Sequence, residues 1–565
     1  MSSVIFQKLP DDILVELLRS IESRKTLAAL SLCSKTLHQF CKPYLYSHFI
    51  QLGDSCEALS FFLRSITRKP SLAKYVKQFT ANALLGYCTD ISMGMMSEDD
   101  WKSIRSALKK ITHTSSGERC SSFTELIELN FLPMIKAGNW DALVGLIVSL
   151  LPNLEEINIV NHASGCPYGY PYLETVLLRA ATLQRTSIGE PYALSKVHTV
   201  RLAKHDAIYH PRMGFEFLRV FPFLSLPSVR KVRGHMISDF HYSPDRQPDE
   251  SYTLSTLYTY PLPKFTFNAT SLTLTHTVMR PDSLPTFLSY FTSLQHFSWD
   301  FQYDLENGDR ENLHFDLTPS VLAASIQHLS QTLQTLRVTQ KRLRQPAQFH
   351  TNDGQSSYPP LSDLATFTHL RLLDISAHLL FGHDETTVST DNCLEALSRL
   401  PDSLQTLVLR NSVLIDNDCT ASQIFYPDAF LKTIVGDRIG WERPKGLRSV
   451  ELHFHESARN ESTKSRLREY KELCKAIGFD LKRVDDRNIA GNSHIEDEQH
   501  DAGCEDCDAH KKMGKVQMDR SDDWMMTNIA AEKSEVEGTT EDVMANPGSR
   551  TDTCLLYTSP SPRDS

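Results

Sequence analysis

Cys504 and Cys507 stand with two residues between them, and His500 and His510 lie on either side. Thiolate and imidazole are the groups that hold a structural zinc ion, and four of them complete its tetrahedron. A closed site usually takes its second ligand pair from a separate turn, whereas here all four lie within eleven positions among acidic neighbours. Solvated thiols are the expectation, with no metal. His453 and His455 beside Glu456 raise the same question, and they read as a surface pair on or just beyond a strand. The rest of the 22 histidines are scattered. The chain has no G-x-S-x-G turn, no glycine loop for phosphate and no H-E-x-x-H helix. No catalytic residue and no cofactor follow from these patterns, and a non-catalytic protein is expected.

The bulk composition narrows the classes further. With 565 residues, 41% of them hydrophobic, the chain has room for two folded parts and a tail. A net charge of −10 argues against a broad surface for nucleic acid or anionic membrane. The richest apolar run, Trp140 to Leu151, stops at Pro152, short of the roughly 18 residues that a membrane span needs. MSSVIFQKLP at the N-terminus lacks the apolar region of a secretory signal. Twelve cysteines without a framework spacing read as reduced thiols, so a cytoplasmic or nuclear location is expected.

Residues 5–50 predict a small helical module. Pro10 suits a helix start, and Asp11 and Asp12 favour the positive end of its dipole. Ile13, Leu14, Leu17, Leu18 and Ile21 fall on one face at helical spacing. A second helix is expected from Thr26, with Leu27 and Leu30 inward, and a third holds Leu37 and Phe40 and ends at Pro43. Three short helices cannot close a good core alone, so the surplus leucines predict a docking surface.

The segment resembles an F-box. The resemblance rests on Leu9-Pro10, the acidic step after it, Ile13-Leu14, Leu30-Ser31-Leu32, Lys35, Leu37 and Tyr44-Leu45-Tyr46. Such a motif docks a substrate receptor onto the adaptor of a cullin-based ubiquitin ligase. The resemblance therefore implies that Leu9, Pro10, Ile13, Leu14, Leu17, Leu18 and Leu30 hold that adaptor, and that cullin is reached through it. It covers about a tenth of the chain.

Residues 51–150 are expected to form a helical bridge. Leu59, Phe62, Leu63 and Ile66 make one helical face, and Trp101, Ile104, Leu108 and Ile111 another. From 151 to 485 a pattern recurs, an apolar residue followed by others three and five places on. It runs from Leu154/Ile157/Ile159 through Val197/Val200/Leu202, Val229/Val232, Ala269/Leu272/Leu274, Leu294/Phe297/Trp299, Leu333/Leu336/Val338, Leu370/Leu373/Ile375 and Leu404/Leu407/Leu409 to Leu447/Val450/Leu452. Successive copies are 25 to 43 residues apart, within the range of repeat architectures. Each predicts a short strand entered from a turn, because residues two apart share a face. Helical segments fall between them at 142–150, 172–181, 283–291, 319–333 and 392–400, and 462–477 closes the series before an edge strand at Phe479-Asp480-Leu481. The predicted fold is an α/β solenoid with a parallel sheet and outer helices. It looks like an irregular leucine-rich-repeat horseshoe, and the scarcity of the repeat's usual asparagine implies an uneven arc.

Loops beyond the strand ends offer the binding side chains. Tyr168, Tyr170, Trp299, Arg342, Trp441 and Arg443 are the candidates for holding a protein target, being of the types that interface hot spots favour. Residues 486–553 are acidic and polar and are expected to be disordered, and 554–565 reads as an adaptor-derived scar. Together with the F-box resemblance, which implies a substrate receptor of a ubiquitin ligase, these features make that receptor the expectation. The other reading is a repeat scaffold outside any ligase, with the N-terminal helices as its cap.

Overall fold

A computed structural model describes residues 9–21, 23–51, 57–83, 96–112, 131–161, 171–186, 193–204, 215–238, 266–277, 279, 281, 283–303, 317–342, 361, 364–382, 395–410, 444–454, 461–476 and 480–485. All of these belong to one compact unit, 1–487. The tail with Cys504, Cys507, His500 and His510 lies outside the described residues, as does the 554–565 segment.

Three helices open the chain: α1 (Asp11–Arg19), α2 (Arg24–Cys33) and α3 (Lys35–Leu45). Ser23 Oγ accepts from the Thr26 N–H, so α2 starts at Arg24, two residues before the expected Thr26. Pro43 lies inside α3 instead of ending it. A proline withholds one N–H from the carbonyl four residues back, but only the last turn remains here. The Tyr46 N–H still reaches the Lys42 carbonyl at 3.1 Å.

A parallel sheet of twelve strands follows in strict chain order. Its strands are β1 (His48–Ile50), β2 (Gln78–Ala83), β3 (Glu156–Asn161), β4 (Thr199–Lys204), β5 (Lys231–His235) and β6 (Ser271–Thr277). They continue as β7 (His296–Tyr303), β8 (Thr335–Arg342), β9 (Leu372–Ser376), β10 (Thr406–Arg410), β11 (Ser449–Phe454) and β12 (Asp480–Asp485). The nine repeated patterns are β3 to β11, and the expected edge strand is β12. The sequence reading missed β1, which ends the stretch read as the helical module, and β2, which lies in the stretch read as a helical bridge. β1 has three residues, and β2, QFTANA, has the small Ala81 on the rung where β3 and β4 have Ile159 and Leu202.

The register explains the pattern. Phe49, Phe79, Ile157, Val200, Val232, Leu272, Phe297, Leu336, Leu373, Leu407, Val450 and Leu481 occupy one rung from edge to edge. All but Phe49 are at most 4% exposed. On the next inward rung Gly234 falls between Leu202 and Leu274. A Cβ there would come within 2.6 Å of the Ile237 side chain, which fills the place a leucine takes elsewhere.

Among the described residues, the helices of six or more residues between strands are α4 (Glu57–Arg68), α5 (Glu98–Thr112), α6 (Trp140–Ser149), α7 (Pro171–Thr186), α8 (Ser283–Leu288) and α9 (Pro319–Ile326), and α10 (Glu461–Ala476) precedes β12. α4 buries Leu59, Leu63 and Ile66, and α5 buries Ile104 and Leu108, as their spacing requires. These side chains and the inward strand residues form one continuous core. The helical module keeps a separate one, of Leu14, Leu18, Leu27, Leu37 and Cys41.

Small polar side chains tie one turn to the next. Just before the first apolar residue of a repeat, Asn153, Ser228, Asn268, Thr332 and Ser403 donate to the carbonyls of Lys74, Leu194, Pro227, Leu294 and Leu370. At the corresponding place in the last copy stands Gly446, where a Cβ would lie 2.6 Å from the Asp402 carbonyl oxygen. Among the described residues no helix is long and apolar enough to cross a membrane.

Candidate functional site

In the helical module the apolar residues of α1 divide between two directions. The Pro10 carbonyl receives the Leu14 N–H at 3.1 Å and starts the helix. Successive residues on a helix are about 100° apart, so a face using both Ile13-Leu14 and Leu17-Leu18 is wider than three short helices cover. Leu14 and Leu18 point inward and are 3% and 2% exposed. They belong to the module's own core, which corrects the expectation that they contact a partner. Leu30 is half-buried against that core. Tyr44 braces the packing from α3, its hydroxyl donating to the Val15 carbonyl at 3.2 Å.

The other stripe stays in solvent. Ile13 is 49% exposed, Leu17 42% and Leu32, on α2, 86%. Pro10 is exposed and Leu9 partly so. Covering Ile13, Leu17 and Leu32 would contribute on the order of 4 kcal/mol before the costs of association. Leu32 is the most exposed of the three, and only its place in the Leu30-Ser31-Leu32 run marked it in the sequence. Cys33 is exposed and Cys41 buried, and burial, then Cys33, raises the Cys41 thiol above its ordinary value.

The loop candidates fare differently. Tyr168, Tyr170, Trp441 and Arg443 lie outside the described residues. Arg342 ends β8, and its side chain is outside them too. Trp299 is corrected: it is fully buried, with its ring edge-on to Phe301 at 5.4 Å and its indole N–H donating to the Thr277 hydroxyl. Strand alternation puts Phe297, Trp299 and Phe301 on the same inward side, so this tryptophan packs the core and does not face the rim.

On the opposite face of the sheet the side chains are polar and charged. Glu156 pairs with Arg201 at 2.9 Å and Glu451 with Lys482 at 3.1 Å. Asp374 is buried and receives Arg410 through two nitrogens, at 2.6 and 2.9 Å, while Arg337 stands 3.8 Å away. His453 is buried on β11, and His455 is outside the described residues. Among the described residues no group of three or more His, Cys, Asp or Glu is placed to hold a metal ion. This face can read charge and hydrogen bonding, and the module's face can bury apolar surface.

No protein-family model matches the chain, and no curated protein matches it. Among solved structures, that of the Rad7 and Elc1 complex in yeast is similar over 72% of this chain and 97% of that one. The two are 10% identical with a TM-score of 0.22, a likeness too slight to carry an argument.

Proposed function

We propose that the chain is a non-catalytic substrate receptor of a cullin-based ubiquitin ligase, joining the ligase adaptor through its N-terminal module and a target protein through its repeats. The observation that carries this reading is the exposure of Ile13 and Leu17, one turn apart on α1 just after Leu9 and Pro10, and of Leu32 on α2. These residues are not among the module's own core of Leu14, Leu18, Leu27, Leu37 and Cys41, and they coincide with the F-box resemblance. The chain would act by holding a target near the catalytic partner, which raises its effective concentration there.

The finer reading of the repeats is a leucine-rich-repeat horseshoe. Strands lie about 4.8 Å apart while helices need about 10 Å. A single-file sheet backed by helices must therefore curve away from them.

Co-expression with the ligase adaptor, followed by gel filtration, tests the proposal. A stoichiometric complex is expected, lost when Ile13→Asp and Leu17→Asp are combined, with the fold retained because both side chains are already in solvent. A well-folded chain that ignores the adaptor overturns it. The second reading, a scaffold capped by its N-terminal helices, then gains from one observation. α3 leads into the edge strand β1 almost directly, and the Ser47 carbonyl between them receives the N–H groups of Lys77 and Gln78 at 2.7 and 3.0 Å.

A further inference from the structure

The polar face of the sheet has an unbalanced centre. Lys231 and Arg233 on β5 are exposed, and among the described residues neither has an ion pair or side-chain hydrogen bond. Across the rung from Arg233 stand Thr273, Ser298 and then Arg337. Arg233 and Arg337 are thus three strands apart, about 14 Å, and two short hydroxyl side chains floor the space between them. Arg337 adds to the surplus, because the one negative charge of Asp374 is already held bidentately by Arg410.

The acids on the same face mark the limits of this patch. Glu156 is answered by Arg201, and Asp300 accepts from the Thr339 hydroxyl at 2.9 Å. Several positive charges on a chain of net charge −10, bounded by carboxylates, suit a short anionic stretch and repel a long polyanion. We propose that Lys231, Arg233 and Arg337, over Thr273 and Ser298, bind an extended peptide segment bearing one or two clustered anionic groups, carboxylate or phosphate. Guanidinium groups favour such oxyanions, and the hydroxyls supply uncharged donors. The inference rests on the receptor reading only in making that segment part of a ligase target; the patch itself is independent of it.

Fluorescence anisotropy of the full chain with three labelled nonapeptides tests this: one of alternating Glu and Ser, one with phosphoserine in place of two Glu, and one with Gln for Glu. Both anionic peptides should bind at least about tenfold more tightly than the Gln peptide. Lys231→Glu combined with Arg233→Glu should remove that advantage, and Arg337→Ala should reduce it. Lys102→Glu, a charge reversal on the surface of α5, should leave it unchanged. The tighter of the two anionic peptides identifies phosphate or carboxylate as the group preferred. No advantage over the Gln peptide, insensitivity to the β5 reversal, or tighter binding of a single-stranded DNA of equal charge would each overturn the proposal. Adaptor capture measured on the same preparation separates the two conclusions: peptide failure with capture intact removes only this inference, and peptide binding without capture removes only the ligase.

Discussion

Asp141 shows how one side chain joins two elements. It sits in α6, 6% exposed, and accepts the N–H groups of Tyr172 and Leu173 at 2.7 and 2.9 Å, capping α7 from outside. Burial pushes its carboxyl up to about 7, and the two N–H groups only partly offset this; Glu174 raises it further and Arg219 opposes. The folded chain therefore keeps a proton here that the unfolded chain releases near 3.8. This contribution to stability is complete below the unfolded value and is lost as the pH rises through about 7. Asp141→Asn keeps one acceptor and cannot titrate. Thermal melts at acid and neutral pH should show the natural chain losing more stability than the variant as pH rises. Equal losses would mean that Asp141 is charged throughout.

Among the elements, α5 depends on a reciprocal cap. The Ser97 hydroxyl accepts the Asp100 N–H at 3.3 Å, and the Asp100 carboxylate accepts the Ser97 N–H at 2.9 Å. Arg68 reaches across from α4 to the same carboxylate, through Nη2 at 2.9 Å and through Nε. Burial works against the Asp100 charge, but the bonds from Arg68 and Ser97 outweigh it and hold its carboxyl below the usual range. Its stabilisation is thus present above 3.8 and is lost as pH falls through the depressed value. Asp100→Ala should cost about 1–3 kcal/mol in denaturant unfolding at neutral pH, since Arg68 is half exposed and recovers water. Adding Arg68→Ala to it should cost little more. Full additivity of the two changes would show that the α4–α5 link is not made through this pair.

At the scale of the molecule, every strand of the twelve-stranded sheet pairs, within that sheet, only with the strands before and after it. Order should therefore be a nearest-neighbour property, strongest in the middle and weakest at the ends. Amide exchange is expected to be slowest in β6 to β9 and fastest in β1 and β12, each of which has one unpaired edge. A flat profile, with edge and central strands exchanging together, would require the repeats to unfold as a single unit. The same arrangement separates the proposed functions in space along the chain, with apolar docking before the first strand and charge reading on the open side of later ones.

The spacing of apolar residues alone determined β3 to β11, the edge strand and the helices that alternate with them, because a buried strand face repeats every second residue whatever its neighbours are. It also located the helical module and its excess of leucine. Periodicity could not divide that excess. Whether Leu14 or Ile13 turns inward depends on which arc of α1 meets α2 and α3, and Trp299 moved from rim to core for the same kind of reason. β1 and β2 were hidden because their residues are too few or too small to show a pattern, and only pairing with β3 makes them strands. The charge surplus of Lys231, Arg233 and Arg337 was equally unreadable. Lys231 and Arg337 lie more than a hundred positions apart, and parallel register is what sets these residues on one face, with the acid nearest to Arg337 already taken by Arg410.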